Sequence, residues 1–355
     1  MTLIELISTA ILVAAATWAG TWIVLRILIR RGIYDRPNER SSHSQPKPRG
    51  GGLAVLAVLL LSWGVVFAVY PERPPGFFVV VAATLCLAAI SWLDDIRSRP
   101  VALRLIVQFA AVGFGIAATA MDSQGFLVFQ GVLPVWLDHL IKGLAWVWFI
   151  NLFNFMDGVD GITGVETFCI GLGLALVALL TQSLPEGPAG ASAVTSILPA
   201  YPLMLAACAA GFLVWNWAPS KIFLGDVGSV TLGYLIGWLL LITAAQGNWP
   251  AALLLPLYYL ADATLTLGRR ALRGEKIWRG HREHFYQKAL LRGAGHAWVS
   301  ANLLLHNAVL VLLALATATV AVWIALLGGV LVVAALLWRF ANFTQAPRGS
   351  SQATR

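Results

Sequence analysis

The side chains able to do chemistry in this 355-residue chain are few, and they recur at the same kind of place. Asp94, Asp95, Asp157, Asp160 and Asp226 all fall at the ends of long apolar runs. Ionisable groups at a membrane boundary are costly, so they mark a working site. A hard divalent cation takes oxygen ligands, commonly one or two carboxylates plus substrate phosphates, so several acids on one face of a bilayer fit magnesium–diphosphate chemistry.

Two of these acid groups sit in glycine-bracketed turns. In NLFNFMDGVDG, residues 151–161, Asn151, Asn154 and Asp157 recur at every third position and are expected to share a helix face. Gly158 and Gly161 then allow a tight turn that approaches a ligand closely. The asparagines alone could be interhelical hydrogen-bonding residues, but that reading leaves Asp157 and Asp160 unexplained. FLGDVGS, residues 223–229, repeats the design: Asp226 lies between Gly225 and Gly228, with Ser229 placed to cap the next helix. A plain helix start, with Asp226 complementing the dipole, is the competing reading. For Asp94 and Asp95 the alternative is a solvated helix end.

Basic segments supply the anion-binding half of such a site. In YDRPNERSSHSQPKPRGGGL, residues 34–53, Arg40, His43, Lys47 and Arg49 lead into three glycines at the start of an apolar run, where free helix N–H groups favour an anion. Each Lys or Arg there reads equally as a membrane anchor. RGHREHFYQ, residues 279–287, groups His281, Arg282 and His284 beside Tyr286. Without HExxH or a nearby cysteine it reads as phosphate or uracil contacts rather than zinc. Asp262, eight residues before Arg270, reads as an internal pairing partner.

The elements that must position these residues are membrane helices. Hydrophobic residues make up 59% of the chain and charged ones 11%, and the mean hydropathy is +0.79, far from soluble domains. A span needs about 20 apolar residues. That template finds runs near 4–29, 53–70, 77–93, 104–120, 139–156, 162–183, 196–214, 229–247, 250–267, 298–317 and 319–340, so the expected fold is an all-α polytopic bundle of about 11 transmembrane helices. The first run lacks a basic start and a small-residue cleavage site and is expected to stay as an anchor. With the amino terminus outside, 22 of the 24 Lys and Arg fall on inner segments, leaving Arg73 and Lys142 outside, which predicts an N-out/C-in topology. All five aspartates then face the cytoplasm, whereas Glu72, Asp122, Asp138 and Glu186 read as solvated outer residues. Met121 to Asp138 is expected to form a small outer hairpin. Residues 1–344 are expected to form one integral-membrane domain, with site loops at 30–52, 94–103, 157–161, 215–228 and 268–297, followed by a flexible cytoplasmic tail at 345–355. Cys86, Cys169 and Cys208 lie in apolar stretches and imply no disulfide framework. The net charge of +8 suits anionic headgroups or phosphorylated substrates and requires no nucleic acid.

In that order and on that face, PKPRGGGL, LDDI, NLFNFMDGVDG, FLGDVGS and the histidine loop resemble the polyprenyl-phosphate N-acetylhexosamine-1-phosphate transferases, glycosyltransferase family 4. The resemblance covers most of the chain. It implies magnesium-dependent transfer of a sugar 1-phosphate from a UDP-N-acetylhexosamine to undecaprenyl phosphate with release of UMP, manganese being an alternative metal. It also implies a cytoplasmic cleft in a bacterial inner membrane, a lipid-open groove for the polyprenyl chain, contact with membrane lipid, and room for a homodimer. HREHFYQ in place of consecutive histidines resembles the branch initiating O-antigen and other surface polysaccharides rather than the peptidoglycan enzyme.

By that match Asp226 is the first metal ligand, with Asp94 and Asp95 as further metal ligands, one of them orienting the lipid phosphate and taking its proton. Asn151, Asn154, Asp157 and Asp160 fall to the nucleotide sugar and metal environment, and Lys47, Arg49, His281, Arg282 and His284 to phosphates. The alternatives are a transporter of lipid-linked or nucleotide sugars, for which midplane acids and a repeat are expected, and a muramoyl-pentapeptide phosphotransferase. The NDxxD and DxxxD pair of aromatic prenyltransferases and the DGxxAR motif of CDP-alcohol phosphotransferases do not occur.

Overall fold

The computed structural model describes residues 1–37, 45–70, 72–97, 99–122, 126–183, 199–276 and 280–344. Arg40, His43, Arg279, Glu186 and the tail 345–355 lie outside the described residues. The helices are α1 (Leu3–Arg31), α2 (Gly52–Val69), α3 (Phe77–Ile96), α4 (Val101–Asp122), α5 (Val135–Phe155), α6 (Ile162–Ser183) and α7 (Ala200–Asn216). They continue with α8 (Asp226–Thr243), α9 (Trp249–Leu254), α10 (Leu257–Leu272), α11 (Phe285–Leu291), α12 (His296–Ala316) and α13 (Val322–Ala341). Two-residue strands, β1 (Tyr34–Asp35) and β2 (Lys47–Pro48), pair antiparallel.

Helices satisfy every backbone group internally, which is why they serve in lipid. Among the described residues, eight stretches are long and apolar enough to span a bilayer, the longest being Leu3–Arg31 and Asp226–Leu254. The chain is an all-helical polytopic membrane protein. Three of the eleven predicted runs do not stand as separate spans by these measures. The run at 139–156 lies in α5, which carries Asp138, His139 and Lys142, and the run at 196–214 lies in α7, which is 17 residues long. The run at 250–267 is divided between α9 and the amphipathic α10, with Pro256 at the junction, where it supplies no N–H.

At the centre stands α8, buried throughout except at Asp226 and Leu241 and packed against α2, α3, α5 and α6. Small residues permit close approach between membrane helices: a Cβ on Gly233 would lie 3.1 Å from Ile150 Cα. Trp146 of α5 stacks on Tyr234 of α8 at 4.7 Å and donates to its carbonyl, while the Tyr234 hydroxyl donates to Ala111 O of α4. Beyond Thr243 the helix loosens into a wider turn over Ala244–Asn248, where Gly247 takes φ +90°.

The outer hairpin is replaced. α4 runs to Asp122 and α5 begins at Val135, and the described residues between them, 126–134, make turns rather than strands. Asp138 is not solvated either. It is 1% exposed, pairs with Lys142 Nζ at 3.3 Å and accepts from Phe129 N at 2.9 Å, so it holds the preceding loop from inside.

Candidate active site

The site is assembled by a backbone contact between two glycine-rich segments far apart in sequence. Gly50 and Gly51 donate to Phe223 O, Gly52 donates to Leu224 O, and Phe223 N donates back to Pro48 O. These partners take up the N–H groups at the start of α2, so the expectation that they hold an anion is not met. The glycines are there for proximity: a Cβ on Gly52 would come within 2.3 Å of Gly228 Cα.

That contact delivers Arg49 to the start of α8, where it ties three acids together. Its Nε lies 2.8 Å from Asp95 Oδ1, its NH2 group 2.5 Å from Asp226 Oδ1, and its NH1 group 3.9 Å from Asp35 Oδ1. Burial alone would weaken the Arg49 cation, but Asp226, Asp95, Asp35 and Asp157 outweigh it and raise the pKa. The Asp95 carboxylate also accepts from Asp226 N at 2.9 Å and Val227 N at 3.0 Å. It thus caps α8 from another helix, satisfying donors that a helix start leaves open. The cap assigned to Ser229 therefore belongs to Asp95; the Ser229 hydroxyl donates to Asn154 Oδ1 at 2.6 Å.

Asp94 is held by Arg99 N at 2.5 Å and by Arg104 NH1 at 2.8 Å. The same Arg104 nitrogen is 3.6 Å from Asp226 Oδ2. Asn151 donates across to Gln108 at 2.7 Å, and Asn151, Asn154, Arg104, Gln108 and Asp226 line one pocket whose other wall is apolar, with Leu87, Leu105 and Val230. The helix face expected to run on to Asp157 stops at Phe155, so Asp157 projects from the turn beyond. Withdrawal from water is the largest influence on its carboxyl, opposed by the Thr163 hydroxyl and Arg49 and reinforced by Asp226 and Asp95, and the result is a pKa of about 7.

Asp160 points elsewhere. Its oxygens accept from Lys47 Nζ at 3.2 Å, Ser220 N at 3.0 Å and Ser220 Oγ at 2.8 Å, with His296 Nδ1 at 3.4 Å. Burial would raise its pKa, yet His296 and Ser220 hold it below the usual carboxylate range. Asp160 and Lys47 form a buried knot behind the site, separate from the Arg49 group.

The histidine loop is anchored by Asp262, which is the internal pairing partner expected of it. Asp262, fully buried, accepts from Tyr258, Thr266 and Phe285 N, and its Oδ1 is 3.1 Å from His284 Nδ1. Arg270 pairs with Glu283 and Glu275. His284 lies 4.8 Å from the His281 ring and stacks on Tyr286 at 5.7 Å, and the Tyr286 hydroxyl reaches Phe155 O. A Cβ on Gly158 would lie 2.4 Å from that hydroxyl, so the glycine turn carrying Asp157 leaves room for Tyr286. Burial, His284 and Arg270 push the His281 pKa down to about 4.

Among the described residues no three His, Cys, Asp or Glu side chains meet closely enough to hold a metal alone. Asp95 has both oxygens engaged, whereas Asp226 Oδ2 lies 3.6 Å from Arg104 with the Asp94 carboxyl beside the same group. Asp226 and Asp157 therefore offer the least committed oxygens, a donor set suited to a hard ion that completes its shell with phosphate and water.

A second, apolar groove runs along the other side of α5. Trp146, Trp148 and Phe149 of α5, Gly237 and Leu241 of α8, and Leu253 of α9 line it. Phe149, Phe153 and Tyr259 follow ring to ring at 5.7 and 5.3 Å, and Tyr259 OH is 3.2 Å from the Thr163 hydroxyl beside Asp157.

Residues 77–244 match the sequence model of glycosyl transferase family 4. A probable undecaprenyl-phosphate N-acetylglucosaminyl 1-phosphate transferase of Bacillus subtilis is 27% identical over 280 residues, covering 78% of this chain and 75% of that protein. An undecaprenyl-phosphate alpha-N-acetylglucosaminyl 1-phosphate transferase of Yersinia pestis is 29% identical over 306 residues, 82% and 79% of the two. A phospho-N-acetylmuramoyl-pentapeptide-transferase of Saccharopolyspora erythraea is 29% identical over 265 residues, 63% and 71%.

Proposed function

Because the chain belongs to glycosyl transferase family 4, among polyprenyl-phosphate hexosamine-1-phosphate transferases, we propose that it transfers an N-acetylhexosamine 1-phosphate from a UDP-sugar to undecaprenyl phosphate, releasing UMP, at the cytoplasmic face of a bacterial inner membrane. The observation that supports this best is Arg49, which gathers Asp95 and Asp226 beside Asp157 from segments separated by up to 177 positions.

In the reaction, an oxygen of the lipid phosphate attacks the phosphorus bearing the sugar. The bond from that phosphorus to the bridging oxygen breaks, and UMP leaves with the bond's electrons. A phosphate monoester has a second pKa near 6, so the attacking group is already largely a dianion, and positioning and charge neutralisation carry the barrier. Asp226 and Asp157 would hold magnesium, which when bound offsets charge on the diphosphate. Arg49 and Arg104 hold the acids in register and add positive charge. Asn154 and Asn151 line the pocket beside Asp226, and the ring-lined groove beside α5 takes the polyprenyl chain. We assign the chain to the start of O-antigen or another surface glycan, because its loop reads HREHFYQ.

The test incubates purified protein with magnesium, undecaprenyl phosphate and a panel of UDP-sugars, scoring UMP. Release is expected with at least one UDP-N-acetylhexosamine and is expected to vanish in Asp226→Asn and on chelation. Flux of lipid or nucleotide sugar without UMP would favour a transporter instead.

A further inference from the structure

The outer end of the apolar groove is bounded by the loop 126–132, whose Val128, Phe129, Gln130 and Val132 line it. This loop is fixed from three directions. Gln130 takes φ +52°, the one positive φ outside glycine among the described residues. Such a backbone costs roughly 1–3 kcal/mol and persists only where the surroundings impose it. Its amide nitrogen donates to Ala245 O at 3.0 Å and Ala244 O at 3.3 Å, fastening the loop to the loosened turn after α8. Phe129 N donates to Asp138, and Lys142 donates to Phe126 O and sits 4.5 Å over the Phe126 ring.

The Asp138–Lys142 pair is 1% exposed on both sides. A buried pair gains little net stability, yet breaking one is costly, so its use here is to fix geometry. What it fixes is the wall of a groove with almost no polar lining. That wall lies far from the Asp226 pocket: Asp138 and Asn154 are sixteen positions apart on α5, about 24 Å of helix rise. The extended backbone of a farnesyl chain is shorter than this rise, and that of an undecaprenyl chain is longer.

We propose that loop 126–132, locked by Gln130 and by the Asp138–Lys142 pair, is a distal recognition wall that contacts the far isoprene units of the acceptor and sets a preference for long-chain over short-chain polyprenyl phosphates. This rests on the transfer reaction proposed above. Gln130, Asp138 and Lys142 are positioning residues, acting through the loop.

The experiment compares undecaprenyl and farnesyl phosphate as acceptors for the wild-type protein, Gln130→Gly, and the double variant Asp138→Leu/Lys142→Met. Glycine keeps the left-handed backbone while removing the amide, and the double variant leaves no lone buried charge. Both variants are expected to raise KM for undecaprenyl phosphate about fivefold or more, with KM for the UDP-sugar and kcat/KM for farnesyl phosphate within about twofold of wild type. An unchanged long-to-short ratio in both variants overturns the proposal, as do equal losses on the two acceptors or a wild-type protein indifferent to chain length. If no form uses farnesyl phosphate, the split between acceptor KM and donor KM decides alone. A wild-type protein that transfers to neither lipid refutes the proposed function, and this inference with it.

Discussion

Arg49 shows why the identity of a single cation matters here. Its planar fork reaches Asp95 and Asp226 in two directions at 2.8 and 2.5 Å, a geometry that the single ammonium of lysine does not reproduce. Arg49→Lys keeps the charge and loses one of the two charged hydrogen bonds, worth roughly 1.5–3 kcal/mol. It is therefore expected to lower kcat for UMP release by about tenfold to a hundredfold. The measurement is turnover of protein whose size-exclusion profile matches wild type, and wild-type turnover in Arg49→Lys would show the fork to be dispensable. The residue types of the site were legible in the sequence because acids at the ends of apolar runs are expensive. Their division of labour was not. Asp95 caps α8 across 131 positions and Asp160 neutralises Lys47 across 113, long-range contacts that no local spacing records.

At the scale of elements, the crossing of α2 and α8 decides whether Arg49 arrives at all. The crossing depends on a position where a side chain has nowhere to go: a Cβ on Gly52 meets Gly228 Cα at 2.3 Å and Gly228 N at 2.4 Å. Backbone atoms do not swing aside, so Gly52→Ala must separate the helices. It is expected to destabilise by about 1–3 kcal/mol, as overpacking does, and to abolish activity. Gly64, in the same helix with nothing within 4 Å of its Cβ position, is the control; Gly64→Ala is expected to hold or raise the melting temperature in detergent, since alanine favours helix over glycine by about 1 kcal/mol. Equal melting temperatures for the two variants would show that the crossing tolerates the methyl group. Hydropathy found the apolar runs because each must bury or face lipid along its length. It misjudged 121–138 because polarity near an outer turn reads as solvation, whereas Asp138 turns inward to meet Lys142 and the Phe129 amide.

Across the whole molecule, the active-site end and the basic segments coincide. Lys47, Arg49, Arg104 and Arg270 lie with Asp94, Asp226 and the histidine loop, while Lys142 is sealed inside the opposite end of α5. Lys and Arg concentrate on cytoplasmic loops of membrane proteins, and a nucleotide-sugar donor is a cytoplasmic solute, so charge distribution and proposed chemistry demand the same orientation for independent reasons. Two exposed positions report on it from opposite ends: Val132, 84% exposed beside α5's start, and Leu272, 90% exposed at the end of α10. In a Cys86→Ser background, which removes the one exposed native thiol, Val132→Cys is expected to react with a membrane-impermeant maleimide on intact spheroplasts and Leu272→Cys only after lysis. The reverse pattern would place the aspartates on the outer face, out of reach of cytoplasmic UDP-sugars, and would leave the transfer reaction without its donor.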